Sequence, residues 1–325
     1  MRLVCLTALL SFSCFAQDTP LPSAKPVPRM QVFPLPHSIS SFQLDGKELT
    51  ASHYDAADMR PFWHPILTSQ GINLVRMGHP YDPVSHSHHN GVWISHNDVN
   101  GIDFWGDKAK VQGRIITQRV DRYEDADDSA YMIQTNHWVR AADQEIQLIE
   151  TRRSEVVPLD GARSWLLIID LEFAAPKGKT SVFNPTFFGL VGVRVAKTIG
   201  LHDGGGRILN SEGQVNEEQV FRQSAHWCDY SGRITNASDG FGGLTLMNHP
   251  SNPQHPTAFH VRNDGWMCAC TTPEKAVTVT DTQKLRLRYG LWVHDGVSTR
   301  AQSDAQWQAF SKRPLASLDP RLKPK

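Results

Sequence analysis

The 325-residue chain carries 33 basic and 33 acidic side chains, so its formal charge is zero and its pI is near 7.3. Nucleic acids and anionic membranes are bound through an excess of positive charge, and the balance therefore argues against both as partners. With 40% hydrophobic residues, the composition is that of an ordinary globular protein.

The first residues have the pattern of a secretory signal peptide. Arg2 precedes an apolar run from Leu3 to Phe15, and the small residues Cys14 and Ala16 suit a cleavage site before Gln17. This run is too short for a permanent anchor, and no later segment is apolar for long enough to span a bilayer. We predict that residues 1–16 are removed and that the protein is exported to the periplasm or beyond. Lipidation at Cys14 is the alternative.

The rest of the chain is predicted to be mostly β. Residues 17–36 are proline-rich and are expected to form an extended lead-in, followed by one β-sandwich domain over residues 37–297 and a C-terminal helix and tail over 298–325. Alternation of polar and apolar residues with intervening turns is typical of antiparallel strands. We therefore predict a large all-β antiparallel β-sandwich with a short helix at 303–311 that buries Trp307 and Phe310. The predicted strands are 114–121, 130–140, 145–157, 164–173, 190–196, 243–248, 257–262, 277–279 and 284–294.

Three cysteines follow the predicted signal peptide, namely Cys228, Cys268 and Cys270. An odd number leaves at least one thiol unpaired in a monomer. The spacing of Cys268 and Cys270 places both on one face of a predicted strand. This favours buried thiols, with a bridge to Cys228 or a soft metal as alternatives.

A histidine-rich segment, SHSHHNGVWISHNDVNGIDFW at 85–105, is the main candidate site. In an extended chain His86 and His88 project to one side and His89 to the other, and a turn at Asn90 and Gly91 would fold His96 back toward the first two. Three imidazoles suit one divalent metal ion. His86, His88 and His96 are thus the predicted metal ligands.

The same segment also suits catalysis without a metal. Imidazole groups exchange protons near neutral pH, and Asp98 or Asp103 would orient them. Trp93 and Trp105 offer flat apolar faces to a sugar ring, although core packing is the simpler role for either one.

Further candidates lie elsewhere in the chain. The proline-stiffened stretch NHPSNPQHPTAFHVRNDGW at 248–266 contains His249, His255 and His260. If loops at one end of the sandwich converge, these histidines would join His64 as substrate-binding residues, and Arg76 and Arg194 would stabilise a carboxylate or a developing oxyanion. The glycine-rich turn at 203–206 lacks a following Lys-Ser or Lys-Thr, so we predict no nucleotide cofactor.

Several motifs together resemble a bacterial family of unknown function labelled PmoA or "methane oxygenase PmoA". The resemblance covers residues 60–296 and centres on His86, His88, His89, Gly91 to Trp93, and Asp98 to Trp105, with Asn90 where many relatives have arginine. It implies a galactose-mutarotase-like β-supersandwich and a carbohydrate substrate. The methane monooxygenase subunit behind the label is an integral membrane protein, whereas we predict no membrane-spanning segment in this chain after its signal peptide. The motifs are RPFWHPILTSQGINLVR, HSHHNGVWISHNDVNGIDFWGD, GLVGVRVAKTIGLHDGGGRILNSEGQ, AHWCDYSG, HPSNPQHPTAFHVRNDGW and LRLRYGLWVHDG.

These inferences predict an exported carbohydrate-active enzyme of the lyase, epimerase or hydrolase type. Its histidines would carry out acid/base chemistry, either alone or with the help of a metal ion. His86, His88 and His96 are the predicted ligands or acid/base groups. Two alternatives stay open: a carbohydrate-binding protein without catalysis, and a soluble metal-dependent oxygenase.

Overall fold

The computed structural model describes residues 26–78, 86–235 and 240–321. The predicted signal peptide, Cys14 and most of the predicted lead-in lie outside these residues. Nineteen strands and three α-helices make up the described part of the chain. None of the helices in these ranges is long and apolar enough to cross a membrane.

The strands in chain order are β1 (Met30–Leu35), β2 (Ile39–Leu44), β3 (Lys47–His53), β4 (Phe62–Ile66), β5 (Val92–His96), β6 (Gly113–Asp125), β7 (Ala130–Arg140), β8 (Ile146–Leu159), β9 (Ser164–Ala174), β10 (Thr180–Phe183), β11 (Gly189–Arg194), β12 (Arg207–Asn210), β13 (Gln223–Ala225), β14 (Trp227–Arg233), β15 (Phe241–Asn248), β16 (Thr257–Arg262), β17 (Trp266–Cys270), β18 (Val277–Thr280) and β19 (Leu285–Asp295). The helices are α1 (Leu201–Gly204), α2 (Asn216–Val220) and α3 (Arg300–Ser311), with a 3-10 turn at Asp160–Ala162.

Two large antiparallel sheets form the molecule. Nine strands follow the order β1-β2-β3-β4-β5-β11-β17-β16-β13, and eight follow the order β12-β14-β15-β19-β9-β8-β7-β6. Strands β10 and β18 form a small separate pair. The prediction of an all-β antiparallel sandwich with a short C-terminal helix is confirmed.

The main core lies between the two large sheets because alternate residues of each central strand point inward. Val92 and Ile94 of β5 contribute to this core, as do Leu167 and Ile169 of β9. The intervening residues form two smaller apolar clusters on the outer faces, one around Trp93 and one beneath α3. The outer face around Trp93 is called the cleft face below, and the outer face beneath α3 the helix face.

Three details differ from the sequence prediction. The first strand begins at Met30, inside the stretch predicted as a lead-in, and pairs with β2 along its whole length. The C-terminal helix begins at Arg300, where Thr299 and Gln302 form a capping box. It buries Phe310, whereas Trp307 is only partly buried.

All three cysteines of the described chain are buried and free. Cys268 and Cys270 lie on β17 and point to the cleft face, while Cys228 lies in the main core. The bridge to Cys228, offered as an alternative, is therefore not formed in this structure.

Candidate functional site

A cleft of about 480 Å³ opens on the cleft face, above the central strands of the nine-stranded sheet. Its volume falls in the range usual for small-molecule sites. Its lining combines aromatic rings, imidazoles and two arginines. The lining residues are His86, His88, His89, Trp105, Phe188, Arg194, His260, Arg262, Asp264 and Trp266.

Trp105 and Trp266 form the floor of this cleft, and the fully buried Trp93 packs against both of them. Trp93, Trp105 and Trp266 lie with ring centroids 5.3 to 5.5 Å apart, the usual separation of interacting aromatic rings. Gly192 lies beneath them, and a Cβ there would be 2.7 Å from Trp93 and 3.0 Å from Trp105. A glycine is therefore required on β11 for the rings to pack this closely.

His86, His88 and His89 lie in a turn beside the floor of the cleft. The His89 N–H donates to the His86 carbonyl at 3.1 Å, so the segment is not extended as predicted. The turn brings the three rings together, with the His89 centroid 4.9 Å from that of His86 and 4.5 Å from that of His88. The prediction that His89 points away from His86 and His88 is thus wrong.

His89 is the most enclosed of the three imidazoles. Its ring stacks on both Trp93 at 5.2 Å and Trp266 at 5.1 Å, and the residue is 6% exposed. Burial is the main reason that the pKa of His89 lies far below its ordinary value, and the nearby His88 and Arg194 lower it further. His89 is therefore neutral at physiological pH.

Arg60 fixes the position of the histidine turn. This buried side chain donates to the carbonyl of His88 at 2.9 Å and to the carbonyl of Trp105 at 2.5 Å. One guanidinium thus joins two walls of the cleft. Its burial lowers the Arg60 pKa to about 10, which still leaves it positively charged at neutral pH.

His88 and His260 are also neutral bases. Burial lowers the pKa of each to about 4. His88 Nδ1 lies 3.6 Å from the Asp107 carboxylate, and His260 Nδ1 lies 3.3 Å from the Phe187 carbonyl. Because both oxygens are acceptors, they favour the tautomer with hydrogen on Nδ1, which leaves Nε2 of each ring able to accept a proton.

Arg194 and Asp264 form an ion pair that lines the cleft near the histidine turn. Arg194 is fully buried and donates to both carboxylate oxygens of Asp264, at 2.9 and 3.1 Å. Arg76 stands behind this pair and donates to the backbone carbonyl of Asp264 at 2.5 Å. The two arginines thus hold a partly exposed carboxylate at the edge of the cleft.

His96 is not brought to the cleft with His86 and His88. It occupies the inner side of β5 together with Val92 and Ile94, because alternate residues of a strand face opposite ways. Its two ring nitrogens contact Thr272 Oγ1 at 2.8 Å and the Asp98 N–H at 3.1 Å. The turn at Asn90 and Gly91 does not fold it back as predicted.

The two aspartates predicted to orient imidazoles hold neighbouring groups instead. The Asp98 carboxylate accepts from Gly101 N–H and from Asn184. The Asp103 carboxylate accepts from the N–H groups of Trp105 and Gly106 and so supports the turn that carries Trp105. The carboxylate that lies beside an imidazole of the cleft is instead Asp107, next to His88.

Three further predicted binding residues lie away from the cleft. His64 bonds to Asn73 at 3.1 Å. His249 contacts Ser251 and the Ser311 carbonyl near the end of α3. His255 contacts His226 and Asn248 and stacks over Trp307. Of the predicted second cluster, His260 and Arg194 line the cleft, and Arg76 supports it.

The arrangement does not fit the predicted metal site. Within the described ranges, no group of three His, Cys, Asp or Glu side chains is placed to hold a metal ion. The separation of His96 from His86 and His88 explains why the predicted ligand set does not form.

Sequence reasoning missed several cleft residues as site residues, namely Arg60, His89, Asp107, Phe188, Arg262, Asp264 and Trp266. Asp264 and Trp266 lie inside a motif already noted, NDGW, so their proximity to His260 in sequence was an available indication. Arg60 and Asp107 had no such indication, because their contacts depend on how distant segments meet.

Fold and sequence together define the class of protein. Two packed antiparallel sheets with an aromatic cleft on one outer face make this an all-β sandwich protein with a candidate small-molecule site. The chain belongs to the family described as "Family of unknown function (DUF6807)", which matches residues 40–308. This description does not address the PmoA label, which stays a prediction.

Comparison with curated proteins gives no significant match. Among solved structures, one similar chain is a Salmonella typhimurium protein described as a "putative mutarotase". The sequence identity is 12%, the TM-score is 0.36, and the alignment covers 83% of this chain and 95% of that one.

Proposed function

We propose that the protein binds a sugar in the cleft and catalyses proton transfer on it with neutral imidazoles. The observation that carries this proposal is the placement of His88 and His260, both neutral at physiological pH, beside the aromatic rings of Trp105 and Trp266. Indole faces bind the apolar faces of sugar rings, and neutral imidazoles accept protons.

The remaining groups suit the polar side of such a ligand. The Asp264 carboxylate accepts hydrogen bonds from hydroxyl groups, while Arg194 holds it in place. A fixed positive charge next to the reacting oxygen would also stabilise negative charge that develops there.

The reaction class is therefore a lyase or epimerase type, in which a proton leaves the sugar, or a hydrolase type, in which a proton leaves the attacking water. Nε2 of His88 or His260 takes a proton from a hydroxyl or from a carbon next to a carbonyl and becomes imidazolium. The imidazolium then returns its proton to the product, directly or through water, and the imidazole is neutral again. Asp107 would keep the His88 ring in the required tautomer.

Binding and turnover can be tested by proton NMR with glucose, galactose, mannose and their methyl glycosides. We expect saturation-transfer signals for at least one sugar, and new product signals or faster anomer exchange that scale with protein concentration. Trp105→Ala should abolish binding, whereas His88→Asn and His260→Asn should retain binding and lose turnover. His255→Asn, away from the cleft, is the matched control.

Binding that survives every cleft substitution would refute the proposal. Saturable binding without any product in the wild type would identify a carbohydrate-binding protein instead. A role for a metal is tested in parallel by elemental mass spectrometry of the wild type and the His86→Ala/His88→Ala variant, and by turnover after chelation. Bound metal lost in the variant, with turnover lost on chelation, would support the metal-assisted form of the chemistry.

A further inference from the structure

The mouth of the cleft carries a second set of aromatic and basic groups. The guanidinium of Arg222 stacks on Phe187 at 4.1 Å and on Phe221 at 4.9 Å. The Arg262 guanidinium lies 5.6 Å from the same Phe221 ring. Two arginines thus meet at one aromatic ring.

This mouth is continuous with the cleft. His260 and Arg262 line the cleft, and the His260 ring lies 5.1 Å from Phe221 and 4.8 Å from Phe188. A sugar bound over Trp266 and His260 would therefore extend its substituents toward Arg222 and Arg262.

Arg222 is held in place before any ligand binds. Its φ of 59° is in the left-handed region, which is unfavourable for a residue with a side chain and persists where the surroundings hold it. Its N–H donates to the Phe259 carbonyl at 2.8 Å on β16. The backbone hydrogen bond and the two ring contacts position a guanidinium that is nevertheless exposed to solvent.

The charges at the mouth are not balanced. Arg262 pairs with Glu217 at 3.0 Å, whereas Arg222 has no ion-pair partner among the residues that the structure describes. A planar guanidinium stacked on rings and lacking a carboxylate partner is well suited to bind an oxyanion through two parallel hydrogen bonds.

We propose that the ligand of this cleft is an acidic sugar, whose carboxylate or sulfate group binds at the mouth between Arg222 and Arg262. This inference rests on the proposed function, because the cleft must hold the sugar ring for its anionic substituent to reach the mouth. Arg222 is the residue that distinguishes acidic from neutral sugars.

The test compares matched ligands by titration calorimetry or NMR at low ionic strength, where charge pairs are least screened. The probes are methyl glucoside with methyl glucuronide, methyl galactoside with methyl galacturonide, methyl mannoside with methyl mannuronide, and the 6-sulfates of glucose and galactose. Proteins are the wild type, Arg222→Gln, and Arg119→Gln as a control for loss of an exposed arginine on the other sheet.

We expect the wild type and Arg119→Gln to bind the acidic member of one pair about tenfold more tightly, corresponding to about 1.4 kcal/mol. Arg222→Gln should lose this preference and bind the neutral member unchanged. A preference for glucuronide-type ligands identifies the carboxylate, and a preference for the 6-sulfates identifies the sulfate ester.

Equal binding of neutral and acidic members by the wild type, or a preference that Arg222→Gln retains, would overturn the inference and leave the proposed function standing. If no sugar of any pair binds the wild type, the proposed function fails, and the inference fails with it. Circular dichroism of each variant checks that it is folded.

Discussion

The cleft face and the helix face are built from the same kinds of residue and differ in what covers them. On the helix face, Trp227 donates to Asp304 of α3, and Trp307 of α3 donates to the Asn248 carbonyl. On the cleft face, the indole N–H groups of Trp93 and Trp266 are buried without a hydrogen-bond partner in the described chain, and on the helix face the same holds for Trp292.

The histidines of the two faces differ more clearly in their hydrogen bonds than the tryptophans do. His255 contacts polar partners through both ring nitrogens, while Nδ1 of His89 has none among the described residues. Buried polar atoms are normally hydrogen-bonded, and exceptions concentrate at functional sites. An aromatic and imidazole surface is therefore structural where a helix covers it, and a candidate site where it opens to solvent.

The largest expected effect tests the structural role of the helix face. Phe310 is 1% exposed and packs against Gly290 in the cluster beneath α3. Phe310→Ala should lower the free energy of unfolding by about 3–5 kcal/mol, because it removes buried apolar surface and leaves a cavity. Chemical denaturation measures this loss. Sugar binding by the folded fraction should be unchanged, and a weakened affinity would show that the two faces are coupled.

A substitution beneath the floor of the cleft should lower both the stability of the protein and its affinity for sugar. In Gly192→Ala the new Cβ would meet Trp93 and Trp105 at 3.0 Å or less, so the rings must move. We expect a loss of about 1–3 kcal/mol in stability from overpacking, together with weaker sugar binding. Gly178→Ala is a control, because a Cβ there has no neighbour within 4 Å, although its positive φ adds some backbone strain. Undiminished binding in a folded Gly192→Ala protein would place the ligand elsewhere.

Acid should destabilise both faces, with different consequences for binding. Burial is the chief reason that the pKa values of His260 and His255 are each lowered to about 4 in the folded protein. In the unfolded chain both histidines have the ordinary pKa of 6.5, so below pH 6.5 the unfolded chain binds more protons than the folded protein does. Stability should thus fall as the pH drops from 6.5 toward 4, by up to about 1.4 kcal/mol per pH unit for His260 and by less for half-buried His255.

Urea denaturation at several pH values measures this slope. His260→Asn and His255→Asn should each make it shallower, and only His260→Asn should alter sugar turnover. A slope that neither substitution changes would assign the acid sensitivity to other buried histidines.

The smallest effect concerns the start of α3. The Thr299 hydroxyl accepts from the Gln302 N–H as the N-cap of the helix. Thr299→Ala should lower stability by about 1 kcal/mol in thermal or urea unfolding, with no change in the cleft. Thr299→Ser, which keeps the hydroxyl, should restore most of the loss, and failure to do so would argue against capping as the cause.

The sequence was sufficient for much of the fold but for less of the site. Strands with regular alternation, such as β7 and β19, were predicted within a residue or two because the pattern is local. That His86, His88 and His89 meet at the cleft depended on their turn, which Arg60 holds through hydrogen bonds to the carbonyls of His88 and Trp105 from distant parts of the chain.

The strand order of the nine-stranded sheet also has a consequence for folding kinetics. Strand β11 lies between β5 and β17, and the paired residues of β5 and β11 are roughly a hundred positions apart in the sequence. Strands β6 to β9, in contrast, pair with their neighbours in the chain. Closing a long loop costs entropy before its contacts form. We therefore expect the β6–β9 meander to acquire hydrogen-exchange protection early during refolding, and the floor beneath Trp93 to be among the last parts to do so.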